Sequence, residues 1–280
     1  MCKLRLRYAK RGKLRFTSHR DVARAVERGL RRAGLPMAYS QGFNPHPRIS
    51  WVGAAPTGCA SEAEYVELQL VEPVDPELVR SELDAALPEG LAVLEAVLAG
   101  PGSLAERIEA SEWHIEVSGV PAGALRAAVG ELLAARRVQV ERMTKDGLRV
   151  LDARAALVSL RAHPDPVASP APGEVTECGI LLAVVRQVSP AVRPDDVLSA
   201  LGVVAGLRPM VPAKVTRMAQ GGLDDDGDLV DPLDRDRKPD GSRPEGSGDV
   251  APRLHPDDVA GHAGRPPGIR DRPVDRIAAT

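Results

Sequence analysis

Basic and aromatic side chains are concentrated at the start of this chain. Residues 1–61 contain thirteen Lys and Arg against two Asp and Glu, a net charge of +11 in a chain whose total is −2. Six of the seven aromatic residues lie within the first 65 positions. Cations neutralise phosphates and rings stack on bases, so this combination is typical of a surface that binds a nucleic acid.

The candidate phosphate contacts lie in a predicted helix and in the segment before it. Ser18 followed by Asp21 resembles a capping box, and apolar residues then recur at helical spacing, which predicts a helix from about Arg20 to Ala33. The arginines of this helix fall opposite its apolar arc. Lys3–Tyr8 and Lys13–Thr17 alternate charged and apolar residues, which predicts two strands whose cations lie on the same outer surface as the helix. The predicted phosphate contacts are Lys13, Arg15, Arg20, Arg24, Arg28 and Arg31.

A second candidate group lies in the segment YSQGFNPHPRIS, residues 39–50. One glycine and two X-Pro pairs predict a stiff loop of turns and extended residues. This loop would present four side chains to bases or sugars: Phe43, Asn44, His46 and Arg48. Histidine is the side chain best suited to acid–base work at neutral pH, so His19 and His46 are the candidates for acid–base catalysis.

Hydrophobic patterns along the chain predict an α+β protein built from two ferredoxin-like (βαββαβ) units with antiparallel sheets, residues 1–100 and 110–219. The stretches DPELVRSEL (Asp75–Leu83) and PDDVLSAL (Pro194–Leu201) look like one helix in two copies. Residues 220–280 are rich in Pro, Gly, Asp and Arg, which predicts a disordered tail.

Three cysteines, Cys2, Cys59 and Cys178, lie too far apart for any metal-ligand spacing, so we predict neither a metal site nor a cofactor. No apolar run is long enough to span a bilayer, and no signal-peptide pattern follows the basic N-terminus. The sequence therefore predicts a cytoplasmic protein without a membrane partner.

The motif SHRD (Ser18–Asp21) followed by GFNPHP (Gly42–Pro47) resembles the radical SAM-associated family of uncharacterised function, and the similarity extends over about residues 2–218. Members of that family are fused or adjacent to a radical SAM enzyme, so the resemblance implies such an enzyme as a partner. The chain itself lacks the CxxxCxxC pattern that holds the iron–sulfur cluster, so cluster and SAM would belong to the partner. More loosely, the tandem order resembles the CRISPR RNA-processing endonucleases, although their glycine-rich loop is absent.

Three functions fit these observations. The first is a non-catalytic module that binds RNA, of the ribosomal or transfer class, and presents it to a radical SAM partner. The second is a metal-independent ribonuclease that uses His19 or His46. The third is a protein-interaction module whose basic, aromatic face docks an acidic partner.

Overall fold

A computed structural model describes residues 2–145, 147–163 and 178–237 of the chain. The first half consists of strands and helices in the order β1 (Cys2–Lys10), α1 (His19–Arg32), β2 (Ile49–Val52), β3 (Ala60–Leu70), α2 (Pro76–Ala86) and β4 (Leu91–Leu98). These strands lie side by side as β4-β1-β3-β2, and all neighbours are antiparallel. This is the strand order of a ferredoxin-like unit.

The second half repeats this arrangement with an insertion. Its elements are β5 (Ala110–Ser118), α3 (Ala122–Ala134), β6 (Gln139–Thr144), β7 (Gly147–Asp152), α4 (Ala153–Ala156), β8 (Leu157–Ala162), β9 (Cys178–Arg186), α5 (Pro194–Ala205) and β10 (Lys214–Leu223). The order β10-β5-β9-β8 is again antiparallel throughout, while β6 and β7 form a separate hairpin. The predicted fold class, tandem ferredoxin-like units of an α+β protein, is confirmed.

The two halves share one sheet. Parallel bridges join Ala60 to Thr216 and Ser61 to Arg217, so that β3 and β10 connect the predicted units 1–100 and 110–219. The described residues accordingly form one compact unit. The repeated helices α2 and α5 are equivalent, because each connects the third strand of its half to the fourth.

The core of the first half lies between the sheet and its two helices. Leu4 and Leu6 of β1 pack with Val26 of α1 and Leu83 of α2, because alternate residues of a strand point to the same face. Gly29 permits the close approach of the helices, since a Cβ there would lie 3.1 Å from a side-chain carbon of Leu83. The charged residues that alternate with these leucines therefore point to the opposite face of the sheet.

Two predictions of local structure were wrong. Gly12–Phe16 forms a short 3-10 helix instead of the strand predicted over Lys13–Thr17, because Gly12 adopts a left-handed φ of 56° and turns the chain. Strand β8 was not predicted. A register shift between Leu157 and Ser159 breaks the period-two pattern of β8 that would have indicated a strand.

Part of the predicted disordered tail is structured. Strand β10 extends to Leu223 and pairs with β11 (Leu229–Val230), and a further 3-10 helix spans Asp234–Asp236. We call residues 231–237 the C-terminal strap. Its Leu233 is fully buried against Tyr65 and Leu104 on the helix-free face of the first half. Composition did not reveal the strap because four of its five charged residues, Asp231, Asp234, Asp236 and Arg237, are paired. Residues 238–280 of the predicted tail lie outside the described residues.

Candidate nucleic-acid interface

Helix α1 combines a buried face with a row of arginines. Ser18 caps the helix by accepting a hydrogen bond from the backbone N–H of Asp21, and Val22, Val26 and Leu30 are buried. Arginines occupy the outward face at successive spacings of four, four and three residues. All of them are exposed: Arg20, Arg24, Arg28 and Arg31. We call these four the arginine row. At about 1.5 Å per residue it extends for about 16 Å.

The arginine row carries almost no compensating charge. Arg24 lies 3.7 Å from Asp21, and both side chains are more than half exposed, so the pair contributes little. No ion pair involves Arg20, Arg28 or Arg31 within the described part of the chain. The neighbouring Arg32 donates to the carbonyl of Ala86 at 3.0 Å. The row therefore forms a strip of positive charge that is open to solvent.

Lys3, Arg5 and Arg7 of β1 are paired with carboxylates and lie on the other face of the sheet. Lys3 and Arg5 both bond to Glu67, at 2.8 and 3.1 Å. Arg5 is only 1% exposed and also donates to Asp236 of the strap at 2.8 Å. Arg7 is within 4.0 Å of a carboxylate of β4 and another of the strap. The prediction that strand and helix cations share one outer surface is therefore wrong. The strand cations instead stabilise the fold through these ion pairs.

Hydrogen bonds keep two of these carboxyl groups ionised. Burial alone would raise the pKa of Asp236, but the bonds from Arg5, from Arg107 and from the backbone N–H of Gly100 outweigh it and hold the pKa below its ordinary value. The pKa of Glu67 is also lowered, because its bonds from Lys3 and Arg5 outweigh its burial. The charged forms of both carboxyl groups therefore stabilise the folded state.

The short helix before α1 presents a ring and a cation together. The Arg15 guanidinium lies over the Phe16 ring, 4.6 Å from its centre, and that ring remains 62% exposed. The backbone N–H of Gly58 donates to the Arg15 carbonyl at 2.7 Å, which fixes this segment beside the start of β3. Lys13 in the same turn is exposed. Lys13 and Arg15 thus lie next to the first residues of α1.

The loop with the GFNPHP motif is closed at its base and open at its tip. Tyr39 bridges to Pro47, the N–H of Ser40 donates to the His46 carbonyl at 2.8 Å, and the N–H of His46 donates to Ser40 Oγ at 3.0 Å. At the tip, Phe43 is fully exposed, and its neighbour Asn44 is exposed as well. These hydrogen bonds fix the base of the loop, and the Phe43 ring at its tip is exposed to solvent.

Arg48 is separated from the arginine row by the sheet. Its guanidinium donates to Gln69 at 3.4 Å, and together with Lys3 and Ser50 it lines a groove of about 290 Å³ on the helix-free face. The alternation of β2 and β3 explains this, since Leu68 faces the helices and Gln69 faces away. Among the predicted site residues, Arg48 alone has described contacts that place it on the helix-free face.

The two candidate histidines have separate environments. His19 packs edge-on against Trp51, with ring centres 5.2 Å apart, whereas His46 belongs to the base of the loop. Within the described residues, no hydrogen bond or ring contact joins them. The same residues contain no group of three or more His, Cys, Asp and Glu side chains that could hold a metal ion.

Sequence reasoning missed a buried polar cluster where the two halves meet. Arg217 of β10 donates to Glu64 and, at 3.3 Å, to Ser61, and its guanidinium lies 5.4 Å from the centre of the Trp113 ring. Lys10 is also buried and reaches the carbonyls of residues 55 and 56 at 3.4 Å each. Burial lowers the pKa of Lys10. The pairing of a charged residue in β3 with one in β10 has no signal in either local sequence pattern.

Fold and site together define a tandem ferredoxin-like protein with a solvent-exposed arginine helix. The chain belongs to a family of uncharacterised proteins conserved in bacteria, DUF2344, whose profile matches residues 3–194. That match ends before β10 and the strap. No curated protein matches the sequence.

Solved structures give distant matches. The first two RRM domains of yeast poly(U)-binding protein Pub1 are 11% identical, with coverage of 77% of this chain and 98% of that chain and a TM-score of 0.19. DyPB from Rhodococcus jostii RHA1 is 10% identical, with coverage of 79% and 90% and a TM-score of 0.20. The encapsulated DyP-type peroxidase of Mycobacterium smegmatis is 9% identical, with coverage of 79% and 91% and a TM-score of 0.20. The fold assignment rests on the strand order and not on these scores.

In the described part of the chain, no helix has the length and apolar character needed to cross a membrane.

Proposed function

We propose that this protein is a non-catalytic RNA-binding module. The arginine row and Lys13 neutralise phosphates along one strand of RNA, and Phe43, Asn44 and His46 contact bases or sugars. RNA of the ribosomal or transfer class is the ligand that we propose, bound in the cytoplasm. The three cysteines are free thiols, which is consistent with that reducing compartment.

One observation carries the proposal: the basic N-terminal residues divide into a paired and an unpaired set. Three cations of β1 are paired with carboxylates: Lys3, Arg5 and Arg7. In contrast, Arg20, Arg28 and Arg31 make no ion pair among the described residues. Three arginines of like charge within about three turns of a helix repel one another, and a polyanion relieves that repulsion.

We further propose that the bound RNA is presented to a radical SAM enzyme. The family resemblance supports this partner, and the chain contains no cysteine motif of its own for an iron–sulfur cluster. Co-purification from the native cells before and after nuclease treatment tests the partnership. A radical SAM protein should co-purify directly or through RNA, and its absence from both preparations would refute this part of the proposal.

The salt dependence of RNA binding tests the first part. We expect wild-type affinity for total tRNA to fall steeply with salt, because each phosphate contact contributes about 0.7 to 0.9 to the slope of log K against log salt. The triple variant Arg24→Glu, Arg28→Glu, Arg31→Glu should lose most of the affinity and about two to three units of slope. Fluorescence anisotropy at four salt concentrations measures both quantities.

A second triple variant gives a matched control. Arg126→Glu, Arg136→Glu and Arg208→Glu make the same change in net charge at exposed positions of the second half. This control should retain nearly all of the affinity. Equal losses in the two triple variants would mean that only the net charge matters, and a flat salt profile for the wild type would refute the proposal.

A cleavage assay distinguishes binding from catalysis. Incubation with total RNA in EDTA should leave the RNA intact. Discrete products that disappear in His19→Ala or His46→Ala would instead establish a metal-independent ribonuclease.

A further inference from the structure

Both phenylalanines of the chain have exposed rings. The chain has two such residues, Phe16 at 62% and Phe43 at full exposure. A phenyl ring gains free energy from burial, so the ordinary position of phenylalanine is a core. Neither ring can be explained by packing within the described residues.

The two rings lie at opposite ends of β3. The segment with Phe16 is bonded to Gly58, just before β3 begins at Ala60. The loop with Phe43 is bonded at its base to Gln69, the penultimate residue of β3. A strand of 11 residues extends for about 33 Å, at about 3.3 Å per residue.

Helix α1 lies between these two ends. Its first residue, His19, contacts Trp51 of β2 and follows Phe16 by three positions. Its last turn leads through Gly34 to Met37, which bridges to Leu70 at the far end of β3. The arginine row therefore extends from the vicinity of one exposed ring towards the other.

We propose that this surface binds single-stranded RNA, with one unpaired base stacked on Phe16 and another on Phe43 while the arginine row holds the phosphates between them. This inference rests on the proposed RNA-binding function and names the form of RNA that is bound. A paired base in a duplex has no free face to offer, whereas every unpaired base has one.

The Arg15 guanidinium adds to the first stacking position. It covers one face of Phe16, at 4.6 Å from the ring centre. A base that stacks on the other face would meet a ring that is already held in place by a cation. At Phe43, hydrogen bonds at the base of the loop limit the motion of the backbone that carries the ring.

The separation of the two rings sets a length for the ligand. A stacked strand advances about 3.4 Å per nucleotide, so a path of about 33 Å takes about ten nucleotides, and fewer where the strand is stretched. An oligonucleotide of four residues can occupy one ring and part of the arginine row, whereas one of twelve can reach both rings.

Oligouridines of four and twelve nucleotides and a twelve-base-pair RNA duplex test the inference by fluorescence anisotropy. We expect the wild type to prefer the single strand of twelve over the duplex. Phe16→Ala and Phe43→Ala should each weaken binding of the single strand by about tenfold, because stacking of one base is worth a loss of that size. Phe43→Trp should preserve binding, and Met210→Ala, which removes another exposed apolar side chain, should have no effect.

The outcomes separate this inference from the proposed function. Equal affinity for duplex and single strand, with both alanine variants unchanged, would overturn the stacking inference and leave the arginine row as a duplex-binding surface. A twelve-nucleotide strand that binds no better than a four-nucleotide strand would overturn the two-ring path. Failure of the wild type to bind any of the three RNAs would refute RNA binding itself.

Discussion

Replacing Asp236 with asparagine tests whether the C-terminal strap is an integral part of the fold. The carboxylate has no exposed surface and accepts two hydrogen bonds at 2.8 Å, one from Arg5 and one from Arg107. Two further bonds come from Arg107 Nη2 at 3.1 Å and from the backbone N–H of Gly100 at 3.0 Å. The Asp236→Asn variant keeps the shape of the side chain and removes its charge.

The expected loss of stability is large because Arg5 cannot reach water. Removing one partner of a buried ion pair costs about 3 to 5 kcal/mol, since the remaining charge is left buried. Arg5 keeps its bond to Glu67 at 3.1 Å, and asparagine keeps one acceptor oxygen, so we expect the lower end of this range, about 3 kcal/mol. With a urea dependence of about 3 kcal/mol/M, the unfolding midpoint should fall by about 1 M.

Urea unfolding followed by tryptophan fluorescence and by circular dichroism measures this change, and agreement of the two signals checks that one transition is observed. Asp234→Asn is the matched control, because that strap carboxylate is 54% exposed and bonds to Arg237. We expect the control to lose less than about 1 kcal/mol. If Asp236→Asn were as mild as the control, the strap would not hold Arg5 in solution, and the reasoning from burial would be refuted.

Two further predictions concern the same buried charges. The lowered pKa values of Asp236 and Glu67 stabilise the fold above the ordinary carboxyl range, so stability should fall as the pH drops below about 4. Asp236→Asn should reduce this slope in acid unfolding curves, and an unchanged slope would show that Asp236 does not contribute to it. At the junction of the halves, Lys10→Met should cost less than about 1.5 kcal/mol, because burial already disfavours its charge and its two hydrogen bonds are 3.4 Å long. Arg217→Met should cost about 3 to 5 kcal/mol in the same urea assay, because it leaves a carboxylate buried without its cation, and the reverse order of the two variants would contradict this account.

Local patterns predicted most elements of the fold. The helix predicted from about Arg20 to Ala33 is observed over His19–Arg32, and the strand predicted over Lys3–Tyr8 is observed over Cys2–Lys10. In both cases the apolar residues of one segment contact a continuous core, so the period of the sequence is the period of the structure. The strand order then follows from two repeats of one connection pattern.

The remaining features depend on contacts between distant residues. Arg5 and Asp236 are 231 positions apart, and nothing in the alternation of β1 indicates that its cations would be covered. Likewise, the face on which Arg48 lies is determined by the pairing of β2 with β3, which the loop sequence does not contain. Composition alone indicated disorder from residue 220 onward, because it counts charges and cannot show that four of those in the strap are paired.

The division of the N-terminal cations also constrains where a polyanion can bind. An RNA strand placed on the helix-free face would have to compete with Glu67 and Asp236 for Arg5, whose side chain is 2% exposed, and would break buried ion pairs to gain one phosphate contact. On α1 the cost of binding a phosphate is offset. Arg20, Arg24 and Arg28 are spaced by four residues, and like charges at that spacing destabilise a helix by about 0.2 to 0.5 kcal/mol per pair. Each phosphate bound there removes a repulsion instead of an existing bond. Binding of RNA should therefore stabilise α1 itself, and polyanion binding costs less on the outer face of this helix than on the helix-free face of the sheet.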